Sequence, residues 1–219
     1  MLNRKSFLII ICFISLKSVS QNDIQKEYKW NVKLGILNFI DPANPAFQIG
    51  LERFINSKNS LQFEAGYILP YNFDLSEEAV SPNSKGYIFK ASYKYWFVNN
   101  KFYAGPEIFT RKNDYTANLQ FTSSETTETG EAYYDIVKVR RDFTGANIVF
   151  GYVRNFDRFF LDFMAGAGLG HRKVTHSNRI DPNDSLEKYI EFRVYEFINE
   201  EMDKTALNVT LNIKLGYKF

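Results

Sequence analysis

Lys33, Glu52, Glu64, Lys90, Lys94, Glu107, Asp162 and Lys214 share one property: each lies in a short run whose every second residue is apolar, and each occupies the other register. Four ammonium and four carboxylate groups set that way are open to two chemistries. Lining water, they make a charged pore or a proton path. Shut away from water, they must pair and hydrogen-bond, because a lone buried charge is expensive. They then form a polar plug.

A second candidate is "HRKVTH", which holds both histidines, His171 and His176. Five residues apart on a strand they point to opposite faces, a poor geometry for sharing a metal. A histidine near Asp135 or Asp181 could supply half of a His-Asp pair, but no paired aspartates accompany it. Neither a metal nor a cofactor is expected, and no catalytic residue is assigned.

The elements that hold these groups announce themselves most clearly in the closing stretch, "TALNVTLNIKLGYKF". Leu207, Val209, Leu211, Ile213, Leu215, Tyr217 and Phe219 alternate without a break against Asn208, Thr210, Asn212, Lys214, Gly216 and Lys218. Period two means a β-strand with one apolar and one polar face. The pattern recurs in "WNVKLGIL", "FQIGLE", "LQFEAGYIL", "YIFKASYKYWF", "FYAGPEI", "ANIVFGYV" and "FFLDFMAGAGLG", which makes eight strands. Pro106 in "YAGPEI" cannot donate to a ladder, so a bulge is expected there.

Between the strands, "NSKN" (56–59), "NNK" (99–101) and "NFDR" (155–158) are tight Asn/Asp turns. They alternate with long connections at 72–85, 112–140 and 177–204, apart from a brief "DPANP" link. That rhythm is an up-and-down meander with turns on one rim and loops on the other. Residues 185–199 fit both a helix, through a capping box from Asp184 to Glu187, and a strand. The last long connection carries eight acidic against four basic residues, which disfavours nucleic acid and lipid phosphate as its partners.

The first residues read differently. "MLNRK", the apolar "SFLIIICFISL" and the small residues of "SVS" form a secretory signal peptide over 1–20, too short to span as a helix. It takes with it Cys12, the one cysteine, so the exported domain, 21–219, has no disulfide to hold it. No later stretch nears 18 consecutive apolar residues, which excludes a helical membrane protein.

Which face meets which solvent is decided by glycine. The polar face mixes its charges with Gly35, Gly50, Gly66, Gly105, Gly151, Gly166, Gly168 and Gly216. Glycine weakens a strand and makes sense where space is short, as inside an eight-stranded barrel. The face rich in Phe, Tyr, Leu and Ile then turns outward to hydrocarbon, where a charge costs about 2–4 kcal/mol at midplane. Arg53, beside a turn, is the one outward charge in these rows and can snorkel. The expected fold is all-β: an eight-stranded antiparallel up-and-down transmembrane β-barrel.

On these residues the chain resembles the small eight-stranded, porin-like outer-membrane barrels of unknown function from Bacteroidota. "WNVKLGILNFIDPANPAFQIGLERFINSKNSLQFEAGY" is similar to their opening, and "SVSQ" to their processing site. The final strand with Tyr217 and Phe219 resembles the signal read by the barrel assembly machinery. The resemblance implies Sec-dependent export, cleavage near Ser20 and residence in the outer membrane as a monomer. It implies no reaction. Three functions stay open: a non-enzymatic structural or surface-interaction barrel acting through its loops, a narrow transporter or channel, and an enzyme at the loop rim.

Overall fold

The computed structural model describes residues 28–40, 45–69, 84–97, 101–123, 132–186 and 199–219. The expected signal peptide lies outside the described residues. Nine strands are described: β1 (Trp30–Gly35), β2 (Ala46–Asn56), β3 (Asn59–Ile68), β4 (Lys85–Phe97), β5 (Phe102–Thr122), β6 (Ala132–Phe156), β7 (Phe159–Ser177), the two-residue β8 (Ser185–Leu186) and β9 (Met202–Lys218). Eight of them form one antiparallel ring in chain order, closed by β4 on β5 and by β1 on β9. At that last seam Phe219 N–H donates to Trp30 O at 2.9 Å, and Trp30 N–H to Phe219 O at 3.3 Å.

The turns follow from their side chains. Asn56 accepts from the backbone N–H of Lys58 and from the Asn59 amide, both at 2.9 Å, which folds the β2–β3 turn. Asp157 takes a φ of 57° in the β6–β7 turn, a conformation Asp tolerates better than most residues.

The fold is turned inside out relative to a soluble protein. Phe63, Ile108, Val209 and Leu211 are more than 60% exposed, whereas Glu52, Lys94 and Asp162 are fully buried. An exposed apolar belt around the whole ring far exceeds the patch a soluble monomer tolerates. The molecule is therefore a transmembrane barrel. Its turn-side edge carries packed aromatics: Phe97 on Phe102 at 6.2 Å, Phe102 on Tyr152 at 5.0 Å and Phe159 on Tyr217 at 5.1 Å between centroids. Such a girdle belongs at the headgroup level. Arg53 lies there too, its guanidinium 5.2 Å from the Trp30 ring.

Three expectations need correction. The connection at 112–140 is mostly strand, because β5 runs to Thr122 and β6 begins at Ala132. On β5 the two faces exchange character at Thr110. Below it Ile108 points out and Glu107 in; above it Lys112, Asp114 and Thr116 point out while Tyr115, Ala117, Leu119 and Phe121 are buried. Register places Thr110 beside Thr144, Thr144 beside His171 and His171 beside Thr205, so the change falls on one row across four strands. That row is the upper limit of the hydrocarbon belt. β6 has 25 residues, about 80 Å of chain, where about 9–11 residues suffice to span. The excess forms an external extension with its own core of Tyr115, Ala117, Leu119, Phe121, Val137, Val139 and Val174.

Pro106 makes no bulge. Ser92 pairs with Glu107 and Tyr95 with Ala104, so the β4–β5 register is unchanged across it, and the missing N–H merely interrupts the ladder. The register shift in the ring lies instead between Phe54 and Asn56 on β2. Finally, 177–204 is narrower than expected, since Ser177 ends β7 and Met202 starts β9, and 85 belongs to β4. Of 185–199, Ser185–Leu186 is strand, pairing with Phe121 and Thr122. Residues 187–198, 124–131 and 70–83 lie outside the described residues.

Candidate functional site

The barrel interior gathers the charges. Lys33 of β1 reaches Asp162 of β7 at 2.6 Å and Glu52 of β2 at 2.8 Å, and Lys94 of β4 stands 3.5 Å from each of the same carboxylates. Two cations and two anions thus share one square. Hydrogen bonds complete it: Tyr103 O–H donates to Asp162 at 2.7 Å, Ser60 to Glu52 at 2.7 Å, and the Asn31 amide to Glu52 at 3.1 Å. Lys33 lies in register with Gly50 and Gly216, and its side chain reaches Glu52 on β2 and, past β9, Asp162 on β7.

Above this square, Lys214 of β9 pairs with Glu64 of β3, which also accepts from Gln48 and Gln62. Glu107 takes a hydrogen bond from Asn147 at 3.2 Å. Lys90 is half-buried under the attraction of Glu64 and Glu107, without a direct ion pair among the described residues. The eight charges therefore form two paired clusters and one looser group.

Aromatic layers bound the interior charges. Toward the turns, Trp96, Tyr103, Phe160 and Met164 pack with Val149 and Val153. The Tyr103 ring occupies the space a side chain at Gly151 would need, and Phe160 does the same at Gly216. Toward the loops, the Phe109 and Phe143 rings meet at 5.0 Å. The inward Trp96 and Phe160 escaped sequence reasoning, because "YWF" and "RFF" put aromatics on both registers at once.

Arg111, Arg141 and Arg172 escaped it as well. Alternation carried past Thr110 would have placed all three inward. Arg111 and Arg172 flank Phe143 in one row, and Arg141 is the next inward residue of β6.

The histidines occupy opposite faces, as their spacing requires. His171 points outward at the belt's edge, with Nε2 3.0 Å from Asp203, a carboxylate it shares with Lys173 at 3.3 Å. His176 points inward to the external extension. Its Nε2 lies 2.7 Å from Asn199 O, and its backbone N–H donates to Glu201 at 2.8 Å. Arg179 binds Glu201 at 3.0 Å and stacks over Phe121, while Tyr133 donates to Asp184 at 2.6 Å. Asp135 accepts Ile180 N–H at 2.8 Å, and Asp181 accepts from Asn183 N–H at 2.8 Å, so neither serves a histidine. Together these contacts latch residues 178–186 and 199–201 onto the extension. Tyr217 lies outward against Phe159, and its hydroxyl accepts from Arg158 at 3.2 Å.

The latch carries a pH dependence. His176, in the extramembrane end of β7, has its pKa pushed below the ordinary 6.5 by burial, with the Asn199 carbonyl and Glu201 opposing and Arg179 adding to the shift. The latched state holds the neutral ring; the released state titrates normally. The contribution of His176 is therefore full above pH 6.5 and declines as pH falls from there through the latched value. Hydrogen exchange across 178–186 should accelerate as pH drops from 7 to 5, after correction for intrinsic rates. His176→Gln should remove the part of the change near pH 6; an unaltered profile would refute the assignment.

Solved structures similar to this chain at low identity include two outer membrane proteins. A major outer membrane protein from Thermus thermophilus is 12% identical over 88% of this chain and 100% of its own, with a TM-score of 0.39. The outer membrane protease OmpT from Escherichia coli is 10% identical over 87% of this chain and 93% of its own, with a TM-score of 0.40. A search of curated protein sequences finds no match. The model of one family does match, over residues 6–217, and the chain belongs to that family, described as "Protein of unknown function (DUF3575)".

Proposed function

We propose that this chain is a non-enzymatic, non-conducting outer-membrane barrel that serves to hold its external extension at the cell surface as an interaction platform. The observation that carries this reading is the closure of the interior at the charged square and the aromatic layer beneath it. A water path through eight strands would have to pass the square of Lys33, Glu52, Lys94 and Asp162, all at most 1% exposed. It would then meet the packed layer of Trp96, Tyr103 and Phe160. The square and the Lys214–Glu64 pair act as a plug rather than as a pore lining. Residence in the outer membrane is supported by the closed ring and its apolar belt, and export by the signal-like residues 1–20.

The extension supports the platform role. A hairpin carried well beyond the belt, with its own buried core and a latched partner segment, is more ordered than a barrel needs to span. Its outer face pairs charges across strands, Arg140 with Asp114 at 2.8 Å and Lys112 with Asp142 at 3.9 Å. Planar-bilayer recording tests the reading directly. The purified barrel should insert without discrete conductance steps, and stable ohmic channels would favour the narrow-transporter alternative instead.

A further inference from the structure

We infer that the barrel wall carries a lateral notch between β9 and the β1–β2 hairpin, and that this notch binds a neutral long-chain amphipath with a hydroxyl or amide head, drawn from the bilayer. The seam is zipped over only part of its length. β1 pairs with β9 from Asn31–Lys218 to Gly35–Lys214, and Ile36 N–H donates to Ile213 O at 2.8 Å. There the chain leaves β9. Leu37–Ile40 form a short 3₁₀ turn that leans on β2, with the Phe39 ring 5.8 Å from Phe47 and Asn38 donating to Gln48. β9 runs on toward the loops through Leu211, Val209 and Leu207. It is paired there with β7 on one side and, among the described residues, with no strand on the other.

Backbone direction fixes what the free edge offers. Successive residues of a strand bond to opposite sides. Phe219 and Ile213 bond to β1, whereas Lys218 N–H bonds to Arg158 O on the β7 side. Leu211, Val209 and Leu207 keep the register of Ile213, so their N–H and C=O groups point into the notch. Thr205 marks the end of the belt, so these groups lie at hydrocarbon depth, where a lipid-exposed sheet edge is not tolerated. The inner face opens at the same place. Lys214 and Asn212 are buried, Thr210 and Asn208 half-buried, and Ala206 exposed, although Gly170 beside Ala206 on β7 is buried. A second copy inserted the same way up cannot supply the missing strand. Its β9 would run toward the same rim and cross this one at the strand tilt instead of lying antiparallel. An amphipath can fill the gap. At its foot Asn212, 2% exposed, donates to Asn38 at 3.4 Å while its Oδ1 has no hydrogen-bond partner. That oxygen needs a donor and the edge N–H groups need an acceptor; a hydroxyl or amide is both. Lys214, the next inward residue below, is already held by Glu64, which favours an uncharged head. The exposed Leu207, Val209 and Leu211, with Ile36 and Phe39, line the rim for the tail.

The test is an NMR titration of the backbone amide signals of the full barrel in phosphatidylcholine nanodiscs, with hexadecanol as the probe. The Leu207, Val209 and Leu211 amides should shift saturably, with cross-peaks from the probe to the Asn208 and Thr210 side chains. Asn212→Leu, which removes the unpaired acceptor, should raise the half-saturating mole fraction about 3- to 10-fold. Ile148→Ala, outward on β6, should leave it unchanged. If Asn212→Leu does not fold, hexadecane on the unaltered protein replaces it, since a chain without a head should give no saturable shift. Equal shifts with hexadecane, or equal shifts at Ile148 and Phe150, would reduce the effect to ordinary lipid contact and overturn the site. Tighter binding of palmitate than of hexadecanol would overturn the neutral head. Strand-type cross-peaks to the three amides before any probe is added, from another segment of the chain or from a second copy, would mean that the edge is already paired, and would overturn the notch itself.

Discussion

Asp162→Asn should destabilise the folded barrel by about 3–5 kcal/mol, the cost of leaving buried charge uncompensated. Asp162 is fully buried and holds Lys33 at 2.6 Å, Lys94 at 3.5 Å and the Tyr103 hydroxyl at 2.7 Å. Asparagine keeps the shape and can still accept from Tyr103. Its amide N–H groups, however, face Lys33, donor against donor, and Glu52 is left as the one carboxylate beside both ammonium groups, with Lys94 keeping its hydrogen bond to Gln62 at 2.7 Å. A second change separates the charge effect from packing. Lys33→Met in the same chain removes the stranded cation, so the double variant should cost less than the sum of the singles. Urea unfolding of refolded protein in thin bilayers measures all three. A loss below about 1 kcal/mol for Asp162→Asn, typical of an exposed pair such as Lys112–Asp142, would mean that water reaches the square, and the plug would be a pore lining after all.

The same square shows what the sequence can and cannot say. That Lys33, Glu52, Lys94 and Asp162 face inward follows from period two alone. That Lys33 meets Asp162, 129 residues away, follows only from the register around the closed ring, which no local pattern carries. Periodicity likewise predicts the strands from Trp30 to Phe97 and the last strand, since there the outward row is apolar and the inward row is mostly polar, with Ile68, Ile88 and Trp96 as exceptions. The rule fails on β5 and β6 because the surroundings change along one strand. Above Thr110 water replaces lipid outside, and the inner face becomes the apolar one. Tyr115, Ala117, Leu119 and Phe121 still alternate, but with the faces exchanged, so a reading tied to one polarity sees a loop. The same exchange hid Arg111, Arg141 and Arg172. Pro106 misled in another way: proline withdraws a donor, and one lost ladder bond leaves the register of a closed ring intact.

Because the faces exchange at a defined row, a charge on the outer face of β9 should have a cost that depends on its depth. Leu211 is 69% exposed and central among the outward apolar residues Leu207, Val209, Ile213 and Leu215. Leu211→Lys puts an ammonium near the middle of the hydrocarbon and should cost about 2–4 kcal/mol. Thr205 is on the same strand and the same face, six positions nearer the loops, paired with His171 in the row that ends the belt. Thr205→Lys should cost about 0–1 kcal/mol, since at that level the ammonium reaches headgroups and water. Leu211→Ala removes the side chain without adding charge, and it separates lost lipid contact from the cost of a buried cation. Unfolding in bilayers of known thickness measures each change. If Thr205→Lys costs as much as Leu211→Lys, the belt extends past the threonine row and the external extension begins higher than the polarity exchange indicates. If Leu211→Lys costs nothing, the face meets water and the barrel does not span a membrane.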